Sequence, residues 1–387
     1  MISLYRTAVF FLAISLLPEQ AEAQTENSGP VKFRKQFVAA ESFESVGAFD
    51  VNGDKVPDLV SGNFWYEGPD YLKRHHITDV KRHGEYYDDF ATIPMDLNGD
   101  GRLDFVTGGW FAETMRWHEN PGADKPWPEH AIAKTGNIET IRAWDVDGDG
   151  TLELVPNTPG KPLAFYKVKP GTNSSPTFTR VEVAKTHEHG LGFGDVNGDG
   201  RGDFIISGGW LEAPKNPLTG SWKLHSEFEI EPASVPIIVA DVNQDGEPDL
   251  IAGNGHGYGL SWYEQQAGKK GKRTWVRHVI DADNSQFHEM HWVDLNGDSQ
   301  PELVTGKRYR AHNGNDPGAN DDFGLYYYSW NGDSFTKNII SYGPLGEGVG
   351  TGIFFSVADL RGTGRPDIIV AGKQGLYIFY NEGKDLL

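Results

Sequence analysis

Apolar residues recur along this chain in short runs that are separated by polar turns. Runs such as residues 58–62 and 302–306 are rich in β-branched side chains and end in glycine. An apolar run precedes each of them, and an aromatic run follows most of them, as at residues 260–264 and 376–380. Runs of this length, bounded by turn residues, are typical of short β-strands. The pattern predicts an all-β chain.

A fourth kind of run, basic at its middle, completes most of the units. Examples are residues 71–77, 275–280 and 334–340. Four short strands per unit fit the blade of a β-propeller. The fourth unit lacks a clear third strand, and residues 210–220 and 307–323 are expected to form long surface loops.

One acidic nonapeptide occurs seven times, each time between the first and second strands of a unit. The copies begin at Asp50, Asp96, Asp145, Asp195, Asp241, Asp294 and Asp359, so that successive starts lie 46 to 65 residues apart. This is the spacing of four-stranded propeller blades.

The two ends of the chain complement each other. The seventh unit stops after its third strand, at Tyr380, whereas residues 31–38 form a strand of the fourth type before the first unit. Pairing the two closes the ring and removes the exposed sheet edge. The sequence therefore predicts one seven-bladed propeller over residues 31–387, closed by the N-terminal strand.

The first residues have the pattern of a signal peptide. Arg6 is followed by an apolar run and by Ala21-Glu-Ala23, which predicts cleavage after residue 23. Residues 24–30 are expected to be disordered. No later run has the roughly 20 apolar residues of a membrane span. We therefore expect a secreted or periplasmic protein.

Composition narrows the range of partners. The net charge of -20 argues against nucleic acid and anionic membranes as ligands. Because the chain has no cysteine, neither disulfides nor thiolates are available to hold the loops.

The acidic loops supply the ligands that hard cations prefer. Each pattern offers oxygen side chains at positions one, three, five and nine with a glycine at the turn, which favours calcium. Position nine closes the loop, whereas the helix-flanked EF-hand closes at position twelve. Alternatively, the Asp and Asn side chains cap their own turns without metal. The predicted ligands are Asp50, Asn52, Asp54, Asp58, Asp96, Asn98, Asp100, Asp104, Asp145, Asp147, Asp149, Glu153, Asp195, Asn197, Asp199, Asp203, Asp241, Asn243, Asp245, Asp249, Asp294, Asn296, Asp298 and Glu302.

These repeats resemble the FG-GAP or VCBS family, which includes the propeller of integrin α chains and many exported bacterial proteins. The resemblance implies about six structural calcium sites. The seventh copy departs from the pattern, because Arg361 and Thr363 stand where oxygen ligands belong. We expect no cation there.

Ionisable residues are expected at the opposite mouth of the propeller. Counting back six residues from each first aspartate gives a column that includes Glu44, Glu139, His189 and His288. Residues near this column or on loops of the same mouth are Trp110, Arg142, His187, Trp210, His256, Arg308 and His312. Converging imidazoles and carboxylates would hold a zinc or similar ion with an open position. Alternatively, a histidine acts alone as acid or base, with an arginine holding an enolate.

Residues 305–318 and the segment around His187 also resemble the propeller domain of aldos-2-ulose dehydratase and its bacterial relatives. This resemblance implies a metal-assisted elimination on a keto-sugar. It makes His187, His189, His288 and His312 candidate ligands or acid–base groups. The extra C-terminal domains of that enzyme have no counterpart in this sequence.

Two functions compete at this point. The first is an exported lyase or dehydratase that acts on a sugar through catalytic His187, His189, His288, His312 and Arg308. The second is a non-catalytic module that binds a glycan or a protein at the same mouth. Propellers host both functions, so the fold does not choose between them.

Overall fold

The computed structural model describes residues 29–230, 232–268 and 272–384. The predicted signal peptide and residues 24–28 lie outside the described residues. Across the described ranges, no helix has the length and apolar character that crossing a membrane requires.

The described residues form seven four-stranded antiparallel sheets and one two-stranded ribbon. A first strand, β1 (Lys32–Ala39), precedes all the blades. Blade 1 contains β2 (Gly47–Phe49), β3 (Asp58–Ser61), β4 (Phe64–Tyr66) and β5 (Arg74–His76). The ribbon β6 (Arg82–His83) and β7 (Tyr86–Tyr87) follows it.

Blades 2 to 4 repeat this order. Blade 2 contains β8 (Ile93–Met95), β9 (Asp104–Thr107), β10 (Thr114–His118) and β11 (Glu129–Lys134). Blade 3 contains β12 (Thr140–Trp144), β13 (Glu153–Asn157), β14 (Leu163–Lys169) and β15 (Thr177–Ala184). Blade 4 contains β16 (Leu191–Gly194), β17 (Asp203–Ile206), β18 (Gly209–Glu212) and β19 (Lys223–His225).

The last three blades complete the ring. Blade 5 contains β20 (Ile238–Ala240), β21 (Asp249–Gly253), β22 (Tyr258–Ala267) and β23 (Arg273–Ser285). Blade 6 contains β24 (Met290–Val293), β25 (Glu302–Gly306), β26 (Phe323–Trp330) and β27 (Phe335–Gly343). Blade 7 contains β28 (Ser356–Ala358), β29 (Asp367–Gly372) and β30 (Gly375–Gly383), with β1 as its outer strand.

The N-terminal strand closes the last blade. Strand β1 pairs antiparallel with β30, from Lys32 opposite Gly383 to Ala39 opposite Leu376. Just before β2, the Val46 N–H donates to the Phe354 carbonyl at 3.0 Å, which joins blade 1 to blade 7. The predicted seven-bladed ring and its closure are confirmed.

The core lies between neighbouring sheets rather than within one of them. Leu59 of blade 1 belongs to the same buried cluster as Ile369 and Ile378 of blade 7. Ile251 of blade 5 packs likewise in one cluster with Leu303 of blade 6. Each sheet therefore buries its apolar faces against the next blade, as layered β architectures require.

The fourth blade has the third strand that could not be located in the sequence. Ile206 pairs with Gly209 across a tight turn, so β18 begins at once instead of after a long loop. Gly209 has a φ of 137°, a value that favours glycine. Part of the loop expected at residues 210–220 is therefore a strand, and Trp210 lies within it.

Candidate metal centre at the propeller mouth

One mouth of the propeller is lined by the segments that precede the inner strands. Glu139 immediately precedes β12, His189 lies two residues before β16, and His288 lies two residues before β24. His256 comes from the β21–β22 connection, and His312 from the β25–β26 connection. Four blades thus contribute ionisable side chains to one place.

Four imidazole rings cluster at this mouth. The ring centre of His189 lies 4.6 Å from that of His256 and 5.9 Å from that of His288. The His312 ring is 4.1 Å from His256 and 5.5 Å from His288. Gly255 lies against them, since a Cβ there would be 3.2 Å from His189 Cε1 and 3.5 Å from His288 Nε2.

Backbone carbonyls fix the tautomers of His189 and His288. His189 Nδ1–H donates to the Ala233 carbonyl at 2.6 Å, and His288 Nδ1–H donates to the Gln286 carbonyl at 3.3 Å. Both Nε2 atoms are buried and lack a hydrogen-bond partner. One ring nitrogen of each histidine and a Glu139 carboxylate oxygen lie within 4.8 Å of one another. Two imidazole lone pairs and a carboxylate that face each other fit a divalent metal with an open position.

A carboxylate orients the other two imidazoles. His312 Nδ1 lies 2.6 Å from Asp316 Oδ2, and His256 Nδ1 lies 3.3 Å from the same oxygen. These three side chains form a second group whose ligand atoms lie within 4.8 Å of one another. Because Asp316 accepts the Nδ1 proton of His312, the Nε2 lone pair of His312 remains available.

A buried arginine joins the mouth carboxylates. Arg308 Nε is 3.0 Å from Glu44 Oε1, and Arg308 Nη1 is 3.1 Å from Glu139 Oε1. Lys373 Nζ lies 3.1 Å from Glu44. Although burial opposes the charge of Arg308, the two carboxylates raise its pKa, so it is a permanent cation next to the imidazoles.

Most of these imidazoles are neutral near pH 7. Burial and the Arg308 charge hold the pKa of His288 and of His312 below the usual range, and burial lowers that of His256 to about 4. Burial also opposes the charge of His189, but the Glu139 carboxylate, 3.6 Å away, outweighs burial and raises its pKa. Neutral imidazoles are the form that binds metal or accepts a proton.

A cavity of about 250 Å³ lies next to this group. Glu139, Arg308 and His312 line one part of it. Its aromatic wall consists of Tyr86, Phe90, Trp110 and Phe111. An apolar wall beside convergent polar groups is typical of a small-molecule site.

On the far side of each blade, the ninth residue of the acidic loop is buried and binds the backbone. In blade 2, Asp104 accepts the Leu97 N–H at 3.0 Å and the Asn120 N–H at 2.8 Å. In blade 5, Asp249 accepts the Val242 and Gln265 N–H groups in the same way. This carboxylate ties the start of the loop to the third strand.

The family comparison agrees with this repeated geometry. The model of the FG-GAP-like repeat matches residues 96–155 and 241–305, which contain four of the seven acidic loops. Over these two segments the chain therefore contains FG-GAP-like repeats, within a seven-bladed propeller. No curated protein matches the sequence.

Solved structures resemble this propeller in fold. BBS1N, solved in complex with ARL6DN, is 11% identical with a TM-score of 0.52, and the match covers 89% of this chain and 94% of that one. A rhamnogalacturonan lyase of Bacillus licheniformis is 12% identical with a TM-score of 0.50, covering 91% of this chain and 73% of that one. At these identities the similarity is one of fold alone.

Two of the predicted site residues, His187 and Trp210, do not reach the group formed by Glu139, His189 and His288. His187 Nδ1–H donates to the Lys161 carbonyl at 3.1 Å, and its Nε2 accepts the Thr158 N–H at 3.2 Å, so both nitrogens have local partners. Trp210 is buried between blades and stacks on His225 at 4.2 Å between ring centres. His187 is thus held by hydrogen bonds to the β13–β14 connection, and Trp210 by packing between blades 4 and 5.

Arg142 lies in β12, where it binds a carboxylate that the sequence analysis did not single out. Its Nη1 is 2.7 Å from Glu289 Oε1, and Glu289 is fully buried. Glu289 also lies 3.4 Å from His291 Nε2. The sequence feature that could have identified Glu289 is its position directly after His288 and directly before the inner strand β24.

Trp210 has an equivalent in three other blades of the propeller. Each of these tryptophans faces a histidine of the fourth strand, which in turn contacts the glutamate two residues after the tryptophan. The sets are Trp65, His75 and Glu67; Trp117, His130 and Glu119; Trp210, His225 and Glu212; and Trp262, His278 and Glu264. These histidines are explained by packing.

Proposed function

We propose that the chain is an exported, metal-dependent carbon–oxygen lyase that acts on a sugar carrying a carbonyl group. The observation that carries the proposal is the grouping of Glu139, His189 and His288, in which both buried Nε2 atoms lack a hydrogen-bond partner. Leaving two buried ring nitrogens without a hydrogen bond costs free energy that a bound cation would recover. Such orphaned groups are uncommon in native proteins unless they serve a site.

Glu139, His189 and His288 would hold the divalent metal. A bound zinc or similar ion supplies Lewis acidity toward a carbonyl oxygen. The permanent positive charge of Arg308 supports negative charge that develops on the same oxygen. The aromatic wall around Trp110 suits the apolar face of a sugar ring.

His312 is the proposed general base. Its Nδ1 is held by Asp316, as the base of a catalytic dyad is held, and it lines the cavity. The imidazole takes the proton from the carbon next to the carbonyl, and the electron pair forms an enolate. The hydroxyl on the next carbon then departs with the proton returned by the imidazolium, so one water leaves and one carbon–carbon double bond forms.

We further propose that calcium clamps the acidic loops of blades 1, 2, 4, 5 and 6. Their oxygen donors fit a hard cation. Each of these loops carries more carboxylates than cationic side chains, and the bound ion would offset that excess of negative charge. Calcium would then have a structural role in the loops, while the imidazoles at the mouth carry out the chemistry.

The test combines metal analysis with an elimination assay. We expect purified protein to carry transition metal in addition to calcium, and to convert keto-sugars into products with the ultraviolet absorbance of a conjugated enone. His189→Ala and His288→Ala should lose the transition metal and turnover while keeping the fold. His76→Gln is the matched control, since His76 is exposed and pairs with Asp79 away from the mouth group.

The competing function is a glycan- or protein-binding module. The exposed edges of Trp110 and Phe111, which are 37% and 39% accessible, favour it. Ligand binding that survives His189→Ala, without any turnover by the wild-type protein, would support this second function and contradict the lyase.

A further inference from the structure

The acidic loop of blade 3 already holds a cation that belongs to the chain. Lys167 Nζ lies 2.6 Å from Asp147 Oδ2, 2.7 Å from Asp149 Oδ2 and 3.1 Å from Glu153 Oε1. A lysine ammonium has three N–H donors, and here each has one carboxylate acceptor. Oxygens of Asp145, Asp147 and Glu153 lie within 4.8 Å of one another.

The position of Lys167 is equivalent in every blade, because the residue before it pairs with the residue after the closing carboxylate. In blade 3 Tyr166 pairs with Leu154, as Tyr263 pairs with Leu250 in blade 5. The residues at the position of Lys167 in blades 1, 2, 4 and 5 are Glu67, Glu119, Glu212 and Glu264. Blade 3 alone among these five has a cation there.

A second exchange accompanies the lysine. The third loop position is asparagine in blades 1, 2, 4, 5 and 6, but it is Asp147 in blade 3. In blades 2 and 5 that asparagine faces the strand glutamate, with Asn98 Nδ2 3.3 Å from Glu119 and Asn243 Nδ2 3.5 Å from Glu264. Blade 3 thus replaces an amide–carboxylate contact by a carboxylate–ammonium contact.

In blade 7 a cationic side chain of the protein also binds the closing carboxylate of the acidic loop. Its third loop position is Arg361, whose Nη2 donates to Asp367 Oδ1 at 3.1 Å and whose Nη1 donates to Glu382 at 3.2 Å. The guanidinium lies on the closing carboxylate of the loop, as Lys167 lies on Glu153. One cation comes from the loop and the other from the third strand.

We propose that Lys167 replaces calcium in blade 3, so that this loop is a self-neutralised clamp and not a metal site. The ammonium and a divalent ion compete for the same oxygens, and the ammonium is covalently tethered. The expected calcium set Asp145, Asp147, Asp149 and Glu153 is thereby reassigned. The proposal rests on the proposed calcium clamps of the other blades.

The test compares calcium stoichiometry, by equilibrium dialysis after chelation, in wild-type protein and three variants. K167Q should bind one calcium ion more than wild type, because Asp147, Asp149 and Glu153 lose their ammonium partner. K167R keeps a cation and should match wild type. K169Q is the matched control, since Lys169 is an exposed lysine on the same strand. Equal stoichiometry in K167Q and wild type overturns the inference.

Two further measurements keep the proposal testable if K167Q folds poorly. Without calcium, K167Q should unfold at a lower temperature than K169Q, and added calcium should reduce that difference. In a wild-type crystal grown with calcium, a calcium peak among Asp145, Asp147 and Asp149 overturns the inference without any variant. Absence of calcium from every wild-type loop would instead contradict the proposed clamps.

Discussion

At the scale of single residues, the environment of each histidine separates packing from chemistry. Sequence reasoning placed His189, His256, His288 and His312 on one mouth, because position relative to the inner strand is a property of the repeat. It could not distinguish them from His187, whose nitrogens are bound by neighbouring backbone groups. That difference depends on contacts between blades and loops, which no local pattern encodes.

His118 gives a residue-scale prediction about acid stability. It is 1% exposed, and burial together with Arg116 lowers its pKa to about 3. Between pH 6.5 and 3 this imidazole is therefore protonated in the unfolded chain but neutral in the folded chain, so the free energy of unfolding falls as pH falls. His118→Phe, which retains a ring against Phe105, should remove this dependence.

The measurement is urea unfolding of both proteins at pH 7 and pH 5. Wild type should lose about 2 kcal/mol more than His118→Phe over this interval, at about 1.4 kcal/mol per pH unit below 6.5. An identical loss in both proteins would show that His118 does not resist protonation in the folded state.

At the scale of elements, the acidic loop links the start of the loop to the third strand of its blade through its closing carboxylate, whether or not it binds a metal. The nine-residue pattern identified the loops and the strands around them. It did not reveal that both oxygens of the ninth carboxylate accept backbone N–H groups, as those of Asp104 do. The third strand of blade 4 is not apparent in the sequence, because it has only four residues and follows β17 across a tight turn.

Asp104→Ala should therefore destabilise the protein even without calcium. The substitution leaves the Leu97 and Asn120 N–H groups buried without acceptors, at roughly 1–3 kcal/mol for each. Asp100→Ala is the comparison, because the backbone N–H that Asp100 accepts, that of Arg102, is exposed. Urea unfolding in chelator should show the larger loss for Asp104→Ala, and equal losses would refute the clamp.

At the scale of the whole molecule, the closed ring brings the mouth residues together. Count, spacing and the unpaired first strand sufficed to predict seven blades, since each unit repeats the same pattern. The sequence could not predict the ion pairs across the mouth, such as Arg308 with Glu44 and Glu139, because their partners lie in different blades.

Removal of β1 tests the closure. A chain that begins at residue 40 leaves the long edge of β30 unpaired, and an exposed edge promotes association. We expect a lower unfolding temperature and higher oligomers in size-exclusion chromatography. A chain that begins at residue 29 keeps β1 and should remain as stable as the longer protein; equal behaviour of the two chains would contradict closure by β1.

The most direct measurement of the central claim is a crystal structure with anomalous data at the absorption edge of the bound transition metal. The account predicts a peak about 2.0–2.2 Å from His189 Nε2, His288 Nε2 and a Glu139 oxygen. A mouth without any such peak, in protein purified without chelator and with both Nε2 atoms bonded to water, would contradict it.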